Sequence, residues 1–454
     1  MELEGKLVTV IGLGKRTGVE TVKFLDKQGA KVIVSDTRSK LELEEEIKLL
    51  QNYKVKFDLG GHTVDLILES DLIIISPGVP IDIPILCQAR DKGIEIISEI
   101  ELAYKFCKAP IIAITGTNGK TTTTTLIGEI FKSTGRKTVV GGNIGRALIR
   151  DLPYLNEDAT VIAEISSFQL EGIRDFRPKI SLFLNITPDH LDRHGSFKEY
   201  IKAKRKLLMN QNKGDYIILN YDDPIVRGFA DNTDAKVIFF SQQEKLESGI
   251  YLEADKIIAD LRGVKEEIID IKQLGIKGPH NLENALGAVA VSLLMNIEKE
   301  MLIKILKEFT GVEHRIEEVA VIEGVKYIND SKGTNPIAAI KAIETFEPPI
   351  TLIAGGKDKG SDFSDLAEVI VDKVEAVVLL GETAESIKNS LTKLAYNNIY
   401  PVETIQEAVK VSSDLAAGEG IVLLSPACAS WDMFNNYEER GEKFKEAVRE
   451  IHSL

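Results

Sequence analysis

Residues 110–122 read PIIAITGTNGKTT, and the fold turns on this stretch. The apolar, β-branched run from Ile111 to Thr115 has the composition and length of a buried strand. It stops at Gly116 and gives way to a segment in which Leu126, Ile127, Ile130 and Phe131 share one helical face, so a strand passes through a glycine turn into a helix. The first backbone N–H groups of such a helix lack intrahelical partners and point beyond the strand end. Small glycines at 116 and 119 let those groups approach phosphate oxygens, Lys120 can reach the terminal phosphates, and the Thr121 hydroxyl can bind Mg²⁺. The generic phosphate loop has glycine where Ile114 stands, and a glycine-rich turn can also be purely structural. The flanking strand and helix favour nucleotide binding.

Outward from this loop the same grammar repeats. A first block holds KLVTVIGLG, KVIVSD and DLIIISPGVP; a second holds TVIAEISS and ISLFLNITPDH; a third holds VKYINDSKGTN, TLIAGGKDKG, AVVLLGET and IVLLSPACAS. Each short apolar strand ends in small or polar residues and precedes an amphipathic segment, which predicts an α/β protein with parallel sheets flanked by helices. Boundaries are expected near Glu99 and Gly311, giving divisions 1–98, 99–311 and 312–454. Ligands of open parallel sheets gather beyond the carboxyl ends of the strands, where all these polar clusters fall.

Composition narrows the function. A length of 454 residues suits about three domains. The formal charge of −14 argues against an extended nucleic-acid surface. Cys87, Cys107 and Cys428 have neither metal-type nor disulfide-framework spacing, as expected in a reducing compartment. MELEGKLVTV lacks a basic n-region, and no apolar stretch reaches the length of a membrane span, so a cytoplasmic chain is expected.

Three further residues bear on chemistry. Glu164 closes the strand TVIAEIS, and His190 follows ISLFLNI; a carboxylate and an imidazole at neighbouring strand ends can hold Mg²⁺ against phosphates, although a solvated Glu and a hydrogen-bonded His are the ordinary alternatives. If Ser196 caps a helix with Glu199 reaching back, Phe197, Tyr200, Ile201, Lys204 and Leu208 form its inward stripe while Lys202, Arg205 and Lys206 face water. An inward lysine ordinarily snorkels. Full burial would instead favour the neutral amine, which can react with CO₂ to give a metal-binding carbamate. In the first block GLGKRTG and Asp36 approximate a dinucleotide fingerprint, but the third glycine comes one position late, so a pyrophosphate site is favoured over NAD. In the third block Arg315, Lys332 and Lys359, with hydroxyls of Thr334 and Ser430, could hold a nucleotide and a dicarboxylate.

Together TGTNGKTT, GGNIG, HNxxN at 280–284 and the HR pair at 314–315 resemble the Mur ligases over nearly the whole chain. EISSFQLE, NITPDHLDRHG, YIKAK, NDSKGTN and SPACASWDMF are similar to the D-glutamate-adding members. The resemblance implies a Rossmann-like UDP-substrate domain, a central P-loop ATPase-like domain and a C-terminal Rossmann-like amino-acid domain. It implies that Gly116, Thr117, Asn118, Gly119, Lys120, Thr121 and Thr122 cradle ATP phosphates. Thr121 and Glu164 would hold one Mg²⁺, His190 and carbamylated Lys204 a second. Asn281, Arg315 and Asp330 would contact adenosine, with Lys332 near the phosphates. Thr17, Thr37, Arg38, Ser76, Gly78 and Asn143 would receive UDP-N-acetylmuramoyl-L-alanine, and Thr334, Lys359, Ser430 and the Tyr437 backbone would bind D-glutamate. A monomeric amide ligase of peptidoglycan precursor synthesis is thereby expected. The alternatives are another Mur ligase, a folylpolyglutamate-type ligase, an NAD-dependent dehydrogenase or a non-catalytic nucleotide-binding regulator. Two positions depart from the pattern: Tyr437 stands where phenylalanine is expected, and Lys15-Arg16 replace smaller or apolar residues.

Overall fold

The computed structural model describes residues 1–451 except 262, 359, 417 and 419. Among these the strands form sheets of five, nine and six, and the chain makes two compact units, Met1–Phe309 and Thr310–Leu454.

The first sheet is wholly parallel, in the order Val55–Leu59, Lys31–Asp36, Leu7–Ile11, Leu72–Ile75, Glu95–Ser98. Chain order reverses between Leu7–Ile11 and Leu72–Ile75, which opens a crevice beyond their carboxyl ends. There the Ser76 hydroxyl donates to the Gly12 carbonyl at 2.6 Å.

The second sheet places Ile111–Thr115 between Ile180–Phe183 and Thr160–Glu164, all parallel. Every residue of Ile111–Thr115 and of Thr160–Glu164 is buried, because helices cover both faces; such strands are therefore continuously apolar instead of alternating. At the far edge the expectation of parallel sheets fails. Lys256–Leu261 runs antiparallel to both Gly249–Glu253 and Val264–Asp270. Two residues, Ala254 and Asp255, join the first pair, and so short a link cannot make a parallel crossover. The third sheet departs likewise: Glu317–Ile322 returns antiparallel as Val325–Asn329 through Glu323 and Gly324, both at positive φ. Its other strands, Ile421–Leu424, Ile350–Ala354, Ala376–Leu379 and Ile399–Pro401, are parallel.

One apolar core runs from the first sheet into the second, joining Val8 and Val10 through Leu102 and Ile149 to Ala163 and Phe183. A polar joint reinforces it. Glu101, fully buried, accepts the backbone N–H groups of Arg174, Asp175 and Phe176 at 2.9, 3.0 and 2.9 Å, with the Lys105 ammonium at 3.3 Å. Among the described residues no helix is long and apolar enough to cross a membrane.

Candidate active site

The helix Lys120–Ser133 follows the strand Ile111–Thr115 through the glycine turn, and Leu126, Ile127, Ile130 and Phe131 are all fully buried on its inner face. Gly119 caps it at φ 79, where a Cβ would stand 2.2 Å from Asn284 Oδ1, so only glycine closes this turn. Asn185, at the end of the neighbouring strand, pins the loop: its carbonyl accepts from Thr117 N and its Oδ1 from Asn118 N, both at 2.8 Å. Lys120 folds back over the loop and donates to the carbonyls of Gly116 at 2.9 Å and Thr117 at 2.8 Å. Thr121 and Thr122 are buried in the first helical turn.

Lys204 comes to this same loop from the helix Phe197–Arg205. Ser196 caps that helix by accepting Glu199 N at 3.3 Å, whereas the Glu199 carboxylate pairs with Lys202 at 3.3 Å in place of the return bond expected. Lys204 is 1% exposed and donates to the Gly116 carbonyl at 2.7 Å. Its Nζ lies 4.8 Å from the centroid of the Tyr200 ring, whose hydroxyl is 3.1 Å from Thr117 Oγ1. Burial, and next the Lys120 ammonium, hold the Lys204 amine well below the usual lysine range, with Asp189 and Glu164 opposing. The neighbour expected in water, Lys206, is half-buried and donates to the Glu171 carbonyl at 2.8 Å, because the helix ends in a tighter turn over 206–208 that rotates it inward.

Glu164 stands one strand away from the loop. Its Oε1 accepts from Asn143 Nδ2 at 2.7 Å, while its buried Oε2 has no hydrogen-bond partner among the described residues. A buried carboxylate oxygen left so is costly unless a cation completes it. His190 caps the short helix Leu191–His194 in the left-handed region at φ 50. Its ring is half exposed, 4.9 Å from the Phe168 ring and 3.6 Å from Asp189. Glu164, Lys120 and Lys204 thus meet electrostatically at the loop, and Asp189 carries the His190 turn into the same field.

In the first sheet Thr17 opens the helix Thr17–Lys27, Thr37 and Gly78 are exposed, and Arg38 donates to Leu13 O at 3.0 Å. Asp36 accepts from Leu13 N at 2.7 Å and from the Arg38 guanidinium. Burial raises its carboxyl, but Arg38 and the two backbone N–H groups outweigh that and hold it below the usual range. With its acceptors engaged by the protein, Asp36 is poorly placed for a nicotinamide cofactor's ribose. Arg16 reaches from this block to the Asn143 carbonyl at 2.9 Å, which gives the unexpected Lys15-Arg16 pair a structural use.

In the second unit Asp330 accepts Ser425 Oγ at 2.7 Å, and burial pushes its carboxyl up to about 6 despite Ser425 and Arg315. Lys332 Nζ lies 5.8 Å from the Tyr437 ring centroid, Thr334 and Arg315 are half-buried, and Ser430 is buried. The Tyr437 carbonyl accepts Ser331 Oγ at 2.8 Å. Lys359 lies outside the described residues. Asn281, in the first unit, donates to Lys277 O and accepts from Asn284.

The sequence reading did not single out Asn185, Asn284, the Tyr200 hydroxyl or Arg440. Asn185 and Asn284 sit inside the quoted NITPDH and HNxxN stretches, so a signal was there. Arg440 has none: on an amphipathic helix it reads as a surface charge, yet it is 2% exposed and donates to Ser331 O, Ser331 Oγ, Cys428 O and Ala429 O.

A strand-end glycine loop holding two lysines, beside a buried carboxylate awaiting a cation, defines a phosphate-binding α/β enzyme. Family models match as Mur ligase MurD-like N-terminal domain over 6–98, Mur ligase middle domain over 114–292 and Mur ligase glutamate ligase domain over 314–428. The chain belongs to the Mur ligase family. It is 49% identical over 453 residues, 99% of this chain and 100% of the relative, to the UDP-N-acetylmuramoylalanine--D-glutamate ligase of Thermoanaerobacter sp. (strain X514). The protein of that name from Clostridioides difficile (strain 630) is 46% identical over 455 residues, 99% of this chain and 100% of the relative. Among solved structures, the UDP-N-acetylmuramate-alanine ligase of Thermotoga maritima superposes at TM-score 0.58 with 20% identity, covering 98% of this chain and 100% of that one. The MurF ligase of the same organism, solved with ADP, gives 0.55 with 16% identity over 99% and 96%. These two share the three-domain α/β fold.

Proposed function

We propose that the chain joins D-glutamate to UDP-N-acetylmuramoyl-L-alanine, converting ATP to ADP and phosphate. The observation that carries this reading is the Lys204 amine, buried at 1% exposure and bonded to the Gly116 carbonyl, in a chain that keeps 49% identity to such a ligase along its whole length. A packing lysine would have no need of that place.

The alanyl carboxylate attacks the γ-phosphorus of ATP and ADP departs, leaving an acyl phosphate. The D-glutamate amine then attacks the acyl carbon, an amide C–N bond forms as the nitrogen gives up a proton to solvent, and phosphate leaves with the bonding pair of the broken C–O bond. Both steps concentrate negative charge, so fixed donors dominate the catalysis. The N–H groups at the start of the helix Lys120–Ser133 bind phosphate oxygens, and Lys120 exchanges its bonds to Gly116 O and Thr117 O for them. Asn143 orients Glu164, and Thr17, Thr37, Arg38, Ser76 and Gly78 take the UDP moiety. Thr334, Ser430, the Tyr437 backbone and Lys359 take D-glutamate; Asn281, Arg315 and Asp330 serve adenosine, and Lys332 the phosphates.

Thr121, Glu164, His190 and Lys204 would hold Mg²⁺, which supplies positive charge to the phosphate oxygens. Among the described residues no three His, Cys, Asp or Glu side chains gather to bind a metal; the donors here suit an ion completed by nucleotide oxygens and water, as Mg²⁺ prefers. The lowered Lys204 amine is suited to attack CO₂, forming an N–C bond and releasing a proton, and the carbamate would add two oxygens sharing one negative charge. We further propose that the protein works as a cytoplasmic monomer divided as 1–98, 99–311 and 312–454.

The test is ADP release by the unaltered chain. It is expected to require both UDP-N-acetylmuramoyl-L-alanine and D-glutamate, and not to be supported by L-glutamate, L-lysine or meso-diaminopimelate. ADP formation indifferent to the amino acid would sink the reading.

A further inference from the structure

We propose that Glu283 is a positioning residue for the phosphate loop, acting through Asn185. The inference rests on the nucleotide reading of that loop and adds a residue to it.

The Asn185 carboxamide lies between two neighbours with opposite demands. On one side its Oδ1 must accept Asn118 N at 2.8 Å; on the other its Nδ2 donates to Glu283 Oε1 at 2.7 Å. A weaker contact, Nδ2 to Asn118 O at 3.4 Å, and the backbone bond from Thr117 N complete its grip on two successive loop residues. A carboxamide turned by 180° occupies the same space with oxygen and nitrogen exchanged. In that orientation its NH₂ would confront Asn118 N, donor against donor, and the loop would lose its anchor. What selects the correct orientation is an acceptor on the far side, the place that Glu283 Oε1 occupies.

Burial makes Glu283 a costly place for a charge. It lies beyond the first turn of the helix Pro279–Leu294, and burial, then the hydrogen bond from Asn185 and the nearby Asp223 and Asp222, set its carboxyl at about 7, above the usual range. Asn220 donates to Leu184 O at 2.8 Å, one residue before Asn185. Glu283 accepts a hydrogen bond from Asn185, beyond the end of the strand Ile180–Phe183. Glutamine keeps one acceptor oxygen but can equally present its NH₂ to Asn185, so it selects the orientation less strictly. The residue serves as a brace whose output is the direction in which the N–H group of Asn118 is held.

The experiment compares steady-state kinetics of the unaltered full chain with Glu283→Ala, Glu283→Gln, Asn185→Ala and the Asn185→Ala/Glu283→Ala pair. Glu283→Ala is expected to raise KM for ATP about tenfold, the scale of one lost hydrogen bond to a charged group, while KM for the UDP substrate and for D-glutamate stays within about twofold. Glu283→Gln, nearly isosteric and foldable, should fall between. The double variant should be no worse than Asn185→Ala alone, since the two act in series. An unchanged KM for ATP in both Glu283 variants, a common rise of all three KM values, or multiplicative effects in the double variant would each overturn the inference and leave the ligase reading standing. Failure of the unaltered chain to turn over ATP would overturn both.

Discussion

Lys204 and Arg440 are both basic side chains buried at 2% exposure or less, and the protein treats them in opposite ways. Arg440 is surrounded by acceptors: four hydrogen bonds to Ser331, Cys428 and Ala429 tie the segment after Val325–Asn329 to the segment after Ile421–Leu424. Burial draws its guanidinium down to about 10, still charged at neutral pH. Lys204 has one hydrogen bond and a second ammonium, that of Lys120, in its field. Nearby, Glu164 keeps a buried oxygen without a partner among the described residues. A satisfied buried charge acts as scaffold. A sparsely satisfied one is costly, and under the proposed ligase reading it is where substrate or a cation would complete the site.

This contrast can be broken by substitution. Lys204→Ala should lower ADP formation by at least about 10³-fold, the scale of losing a group that organises transition-state charge, with short carboxylic acids restoring part of it. Its melting temperature should stay level or rise, since a desolvated amine has been removed. Full activity in that variant would remove Lys204 from the chemistry. Arg440→Ala should behave in reverse, losing about 2–5 kcal/mol in denaturant unfolding because the buried carbonyls of Ser331 and Cys428 lose this donor; a loss below about 1 kcal/mol would refute the scaffold role.

A smaller effect sharpens the comparison within one helix, Glu99–Phe106. Glu101 has three amide partners, whereas Glu99 has one, Ile149 N at 2.8 Å. Burial pushes the Glu99 carboxyl from 4.5 up to about 7, with Ile149 and Arg16 opposing. The folded state therefore holds a proton that the unfolded state releases, so this contribution to stability is full below pH 4.5 and is lost as pH rises through about 7. Glu99→Gln, permanently neutral, should match the unaltered chain in acid and exceed it above neutrality by up to about 3 kcal/mol. Parallel unfolding curves at pH 5 and 8 measure this, and an equal difference at both would contradict it.

The fold class was legible because parallel strands covered on both faces leave unbroken apolar runs such as PIIAIT and TVIAEIS. The antiparallel returns at Ala254-Asp255 and Glu323-Gly324 were not anticipated, since the reading followed the strand-helix alternation and these links contain no helix. At the site, Lys204 could be found because it interrupts an apolar stripe. Lys206 was misplaced because a periodic wheel does not register the tightening of the last turn. Arg440 and Glu283 escaped for a different reason: a charge on a helix is ordinarily solvated, and only tertiary packing decides that one of them is enclosed and what it then touches.

The joint at Glu101 bears on ionic conditions. Its carboxylate is fully buried and held mainly by peptide N–H groups, beyond the reach of mobile counterions, whereas exposed pairs such as Lys48 with Glu44 or Lys256 with Glu267 stand in the electrolyte. Interactions of the second kind fade within a Debye length of about 8 Å at physiological ionic strength. The attachment between the first two sheets should consequently keep its strength in molar salt, when the surface pairs have ceased to contribute.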